Sequence, residues 1–147
     1  MNIFEAVICH DYSVMRTERQ SITYKTNGVH MIGLAWICNV LTVFGIAIIS
    51  FLLLNRKQDI YDLLFEIHYW ELAGRVGILI ALAFIHILSF GAYGGKRIFM
   101  DIIKHFNSLG VEEKKAVSLK GGRYFYFSLF CFLIVGGTVF YMVKIIY

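Results

Sequence analysis

Three long stretches without a charged side chain most constrain how this 147-residue chain can fold. They cover residues 26–55, 76–95 and 124–143. A helix needs roughly 20 apolar residues to cross a hydrocarbon core of about 30 Å, because each residue rises about 1.5 Å. Lipid offers no partner to an unpaired peptide group, so a run this long and apolar favours a helix that satisfies its own backbone. The sequence therefore predicts an all-α membrane protein with three transmembrane helices.

The composition agrees with this fold class. Only 16% of the residues are charged and 59% are hydrophobic, whereas a soluble domain carries about 25% charged residues. A lipid bilayer or partner subunits must therefore cover the apolar surface. The chain has no proline, which suits long uninterrupted helices. It also shows no nucleophile–base pair, phosphate-binding glycine loop or clustered metal ligands, so we expect no catalytic residue of its own, and we expect no nucleic-acid partner.

The basic residues are unevenly distributed. Ten of the fourteen Lys and Arg lie in a short N-terminal arm, residues 1–25, and in the second loop, residues 96–123. Three spans place these two segments on the same side, and the positive-inside rule predicts that this side is the cytoplasm or the matrix. We therefore expect a multi-pass protein of a bacterial cytoplasmic membrane or a mitochondrial inner membrane.

The two loops each contain apolar residues at three- and four-residue steps. In the first loop, residues 56–75, this spacing among acidic residues predicts an amphipathic helix. That helix would lie on the outer membrane surface or pack against its own or a partner subunit. At the start of the second loop, the same spacing over residues 98–106 indicates a helix that extends the second span.

Two histidines stand out among the polar residues of the spans. His86 is near the middle of the second span, and His30 is at a shallower position in the first. An ionisable group inside a membrane is energetically costly and often functional. His86 could ligate a haem iron, relay protons or bond a quinone carbonyl. The alternative is a hydrogen bond between helices. A site in which both histidines ligate one iron requires that the two helices be neighbours.

The segment Ser-Ile-Thr-Tyr-Lys-Thr-Asn-Gly, residues 21–28, carries a family resemblance. It resembles the signature Ser-Ile-x-His-Arg-x-Ser/Thr-Gly of the larger cytochrome b anchor subunit of succinate dehydrogenase. Lys25 stands for the arginine and Tyr24 for the histidine. The second span is also similar, because a histidine is followed by glycines, basic residues and an aspartate, although at a longer spacing. These residues are His86, Gly94, Gly95, Lys96, Arg97 and Asp101.

The resemblance implies a subunit of respiratory complex II, the succinate:quinone oxidoreductase shared by the respiratory chain and the tricarboxylic acid cycle. Such a subunit is a non-catalytic anchor that takes part in electron transfer. Its partners would be a flavoprotein subunit, an iron–sulfur subunit and a second small membrane anchor. The resemblance also implies two cofactors, haem b and ubiquinone.

By position, Ser21 and Lys25 would bind ubiquinone. His86 would be an axial ligand of the haem iron, with the second histidine from the partner anchor. Tyr24 and Lys25 would contact the haem propionates. The alternative function is a cofactor-free accessory or structural subunit of another respiratory or membrane complex, and a third is a small transporter subunit.

Overall fold

The computed structural model describes residues 1–14, 24–54, 65 and 72–143, without the side chains of 24–26 and 73. Five helices make up these ranges, in which no strand occurs. In chain order they are α1 (Ile3–Val14), α2 (Tyr24–Leu54), α3 (Leu72–Tyr93), α4 (Lys96–Ser108) and α5 (Val111–Tyr141). Most of the first loop, where the amphipathic helix is predicted, lies outside the described residues.

Three of the helices are long and apolar enough to cross a membrane, which confirms the predicted all-α class with three spans. The candidate spans are Asn27–Leu54 in α2, Gly74–Tyr93 in α3 and Val111–Tyr141 in α5. At 31 residues, α5 is about 46 Å long, which exceeds the thickness of the hydrocarbon core. Its charged first turns therefore extend beyond the charge-free part that begins at Tyr124.

The three spanning helices form a row, with α2 in the middle. α2 packs against both α3 and α5, whereas α3 and α5 barely touch each other within the described residues. Between α2 and α5, the Asn39 Nδ2 donates a hydrogen bond to the Tyr124 hydroxyl at 3.0 Å. Because the row leaves one side of α3 unpartnered in the described chain, large apolar side chains such as Leu79 and Phe84 are well over half exposed, at 65% and 59%.

The N-terminal arm contains a buried helix, α1, that the sequence analysis did not predict. Its first turn is closed by a reciprocal cap: the Glu5 amide donates to Asn2 Oδ1 at 2.7 Å, and the Asn2 amide donates to Glu5 Oε2 at 2.9 Å. Four consecutive side chains of α1 are at most 1% exposed: Ala6, Val7, Ile8 and Cys9. The helix is thus packed into the protein rather than extended from it.

Glycines and an aromatic cluster fix the position of α1 on the spans. α1 crosses α5 at Gly121, where an added Cβ would meet the Ala6 carbonyl, and it crosses α2 at Gly28, where an added Cβ would be 3.0 Å from Ile8 Cα. The Phe4 ring packs edge-on against one aromatic ring from each of the three spans, with centroids 5.4–6.1 Å away. These rings are Trp36, Tyr93 and Tyr124.

The expectation that the second span continues into the second loop is wrong, because α3 ends at Tyr93 and α4 begins at Lys96. Gly95 has an extended backbone, which breaks the helix. The break frees α4 to turn its apolar face onto α1 and α2, where it forms a core with Ile8 and Ile32. The buried residues of this face are Phe99, Ile102, Ile103 and Phe106.

Candidate functional site

The two span histidines lie next to each other, so the helices that carry them are neighbours. His30 Nδ1 of α2 is 2.9 Å from His86 Nε2 of α3, which is a hydrogen-bonding distance. The two rings are nearly parallel, with an interplanar angle of 21° and centroids 5.1 Å apart. The sequence has no signal for this contact, because the residues are 56 positions apart.

The two histidines also lie at the same height in the bundle, although His30 was expected to be shallower. His30 follows the first residue of α2 by six positions, and His86 precedes the last residue of α3 by seven. Each is therefore about 9–11 Å from its helix end, at a rise of about 1.5 Å per residue. The expected difference came from counting the depth of His30 from Thr26 and that of His86 from Gly95, neither of which is the end of its helix.

A glycine on α2 makes room for the His86 ring. A Cβ added at Gly33 would collide with His86 Nδ1 and would lie only 2.8 Å from Ser89 Oγ. Glycine at this position therefore lets the imidazole lie directly against the α2 backbone. Gly33 follows His30 by three positions, so both are on the α2 face that meets α3.

A buried serine fixes the height of α3 beside the pair. Ser89 is fully buried, and its hydroxyl lies 3.2 Å from the Val29 carbonyl of α2 and 2.7 Å from the His86 carbonyl of its own helix. Since the hydroxyl has a single proton, the two carbonyls share it. This shared hydrogen bond ties one turn of α3 to the turn of α2 that carries His30.

The histidine pair is at the edge of the bundle rather than at its centre. His30 is exposed and His86 is half-buried, so the pair faces whatever surrounds the bundle, lipid or a partner subunit. Phe90 packs against both rings, with centroids 4.8 Å from His30 and 5.6 Å from His86. Among the described residues, no acidic side chain pairs with either ring and no group of three metal-ligating side chains occurs.

The hydrogen bond decides which ring nitrogen is available to a ligand. One of the bonded nitrogens carries the proton and the other offers its lone pair. His86 uses Nε2 in this bond, and its Nδ1 lies against Gly33. The Nε2 of His30 has no hydrogen-bond partner among the described residues. The nitrogen that an outside group can reach is therefore on His30, with His86 holding its ring in place.

As the pair stands, it would offer a bound metal ion one histidine nitrogen and not two. Two imidazoles on opposite sides of one metal ion need nitrogens about 4 Å apart, which is twice a bond of about 2.0 Å. The 2.9 Å between His30 and His86 is too short for an ion between them. Ligation through His86 Nε2 requires this hydrogen bond to break. Ligation through His30 Nε2 would keep it as the orienting contact that metal-bound histidines usually have.

The remaining predicted site residues can be placed only in part. Ser21 lies outside the described residues. Tyr24 and Lys25 occupy the first turn of α2, and their side chains are outside the described part of the chain. The residues that the sequence analysis did not associate with the site are Gly33 and Phe90. The signal that could have found Gly33 is its spacing of one helical turn from His30.

No protein-family model matches this chain, and no curated protein and no solved structure is significantly similar to it. The fold and the site by themselves define its class. It is an all-helical protein with three helices able to span a membrane and with two hydrogen-bonded histidines between two of them.

Proposed function

We propose that this protein is the membrane-anchor subunit of a succinate:quinone oxidoreductase. The observation that carries the proposal is the pair His30 and His86 within two candidate spans. Two titratable rings in hydrocarbon are energetically costly, and such groups usually mark a cofactor site or a path for protons or ions. The similarity of residues 21–28 to the anchor-subunit signature, immediately before His30, favours the cofactor role.

The distribution of charge supports the proposed orientation. α4 and the first turns of α5 carry seven of the fourteen Lys and Arg. The end of the bundle that holds them would face the cytoplasm or the matrix. On that side the flavoprotein and iron–sulfur subunits would dock, and the second small anchor would cover the open side of α3. The membrane would be a bacterial cytoplasmic or a mitochondrial inner membrane.

Haem b and ubiquinone are the cofactors that this function implies. The haem would supply a one-electron carrier within the membrane. This chain would hold it by one histidine of the pair, His86 after its hydrogen bond opens or His30 with that bond intact, and the partner anchor would provide the opposite ligand. Lys25 and Tyr24 would contact the propionates. Ser21 and Lys25 would position ubiquinone at the basic end of the bundle.

A cofactor-free accessory subunit of another membrane complex is the second candidate, and one observation favours it. The hydrogen bond between His30 and His86 already gives each ring a polar partner in the membrane. Polar side chains that are hydrogen-bonded between two helices need no cofactor to explain them. In that case the pair would only hold α2 against α3.

The two candidate functions predict different haem contents and different enzymatic activities for the purified complex. We would purify the complex from its native membrane and measure its pyridine haemochrome spectrum and its succinate-dependent quinone reduction. The anchor proposal expects b-type haem and activity. If the protein is the anchor subunit, His30→Ala or His86→Ala should remove the haem. His105→Ala on α4 is the control, because it removes an exposed histidine outside the site and should change neither the haem spectrum nor the activity. A complex without haem and without this activity leaves the accessory subunit as the function.

The quinone site is tested separately. Ser21→Ala and Lys25→Gln are expected to raise the KM for ubiquinone while leaving succinate oxidation by a soluble electron acceptor unchanged. Lys114→Gln is the control, because it removes one positive charge from the first turns of α5. Normal quinone kinetics in both the Ser21 and Lys25 variants would refute the proposed quinone contacts.

A further inference from the structure

A groove lies between the first turn of α1 and one side of α5, away from the histidine pair. Its volume is about 680 Å³, and most of its lining is apolar. Ile3 lines it from α1, and Ala116, Leu119, Tyr124 and Phe127 line it from α5. Most of the α5 residues repeat at three- and four-residue steps, so they form one stripe along the helix.

Two cations lie in the same groove, at the boundary of the charge-free segment. Lys120 and Arg123 line its wall and are one helical turn apart. Both are exposed, and neither forms an ion pair or a hydrogen bond with any described residue. Arg123 is the last charged residue before Tyr124, the first residue of the long charge-free stretch of α5.

The groove therefore changes from charged to apolar along α5. Phe127 follows Arg123 by one turn, and it is 68% exposed within the charge-free segment. Lys120 and Phe127 are about 10 Å apart along the helix axis, at about 1.5 Å per residue. A phospholipid has the matching order of parts, with an anionic headgroup at the membrane surface and acyl chains directed into the hydrocarbon.

We propose that this groove binds an anionic phospholipid, whose phosphate contacts Lys120 and Arg123 and whose acyl chain lies over Phe127 and Tyr124. The guanidinium of Arg123 can bind two phosphate oxygens at once, while Lys120 adds a point charge. Basic pockets beside spanning helices are a general mode of headgroup binding. The inference depends on α1 and α5 only and is independent of the proposed function.

Native mass spectrometry of the full chain in detergent tests the proposal. The protein would be titrated with phosphatidylglycerol and, separately, with phosphatidylcholine of the same acyl chains. We expect tighter binding of the anionic lipid. Each cation near a membrane surface changes such an affinity about fivefold, so Lys120→Gln with Arg123→Gln should weaken phosphatidylglycerol binding roughly thirtyfold. Arg123→Lys keeps the charge but loses the two-oxygen contact, so it should weaken binding less than Arg123→Gln does.

Lys114→Gln with Lys115→Gln is the matched control, because it removes two charges from the same helix outside the groove. It should leave binding nearly unchanged. Circular dichroism would establish that every variant keeps its helix content. Equal affinity for the two lipids, or an equal loss in the two double variants, would overturn the proposal. So would displacement of the lipid by millimolar inorganic phosphate, because that result would identify a site for free anions.

Discussion

The contact between α1 and α5 can be tested by one methyl group. A Cβ added at Gly121 would collide with the Ala6 carbonyl and would lie 2.6 Å from the Val7 amide nitrogen. These are backbone atoms of α1, which cannot turn aside as the end of a flexible side chain can. Ordinary contact begins at 3.4 Å, so the Val7 nitrogen alone requires α1 to move about 0.8 Å away from α5 in the Gly121→Ala variant, and the closer Ala6 carbonyl requires more.

The energetic effect follows from what α1 buries. Val7 and Ile8 are at most 1% exposed, and burying each such side chain contributes about 1.5–3 kcal/mol. A gap of about 0.5–1 Å forfeits roughly a quarter to a half of the dispersion energy across a contact. The docking of α1 should therefore weaken by about 2 kcal/mol, which is within the range of about 1–3 kcal/mol typical of overpacked sites.

Cys9 reports the docking of α1 directly. It is completely buried, and burial raises the pKa of its thiol to about 12, so it should react only when α1 opens. Cys38→Ala and Cys131→Ala would remove the other two thiols. In this background we would follow alkylation of Cys9 by N-ethylmaleimide at pH 7.5. A loss of about 2 kcal/mol should accelerate the reaction roughly thirtyfold in the Gly121→Ala variant.

Gly137→Ala provides the control on the same helix. No atom lies within 4 Å of a Cβ at Gly137, so this variant should leave the alkylation rate of Cys9 unchanged. If Gly121→Ala reacts no faster than its parent, the two backbones do not approach each other closely and the reasoning is refuted. Equal acceleration by both alanines would assign the effect to the helix itself rather than to the contact with α1.

Two further variants test the site and the buried acid. Gly33→Ala should displace the His86 ring, destabilise the protein by about 1–3 kcal/mol and shift the histidine ring ¹⁵N resonances, whereas Gly77→Ala, which meets no atom within 4 Å, should not. Burial raises the pKa of half-buried Asp11 from an ordinary 3.8 to about 6, so the folded state binds this proton more tightly than the unfolded state and its stability falls as pH rises between those values. Above pH 6, Asp11→Asn should therefore increase the free energy of unfolding by about 1 kcal/mol, after allowance for solvent screening, and raise the melting temperature. This gain should shrink towards pH 4. A gain that is the same at pH 4.5 and pH 7.5 would contradict this explanation.

The unpredicted parts of the fold have identifiable physical reasons. The apolar residues of α1 are confined to a segment too short to span a membrane, and nothing in the sequence indicates that Gly121 and Gly28 open space for it. The apolar stripe at 98–106 was predicted as helix, but periodicity alone does not show where one helix ends. The extended backbone at Gly95 separated α4 from α3.

The sequence by itself determined the class of the protein. Placing charge or unpaired peptide groups in hydrocarbon is unfavourable whatever the neighbours are, so three charge-free stretches of sufficient length predict three spanning helices without any tertiary information. Only the tertiary structure decided which helices touch and at what height. The pairing of His30 with His86 depends on the space at Gly33 and on the hydrogen bond from Ser89, and these are contacts between distant parts of the chain.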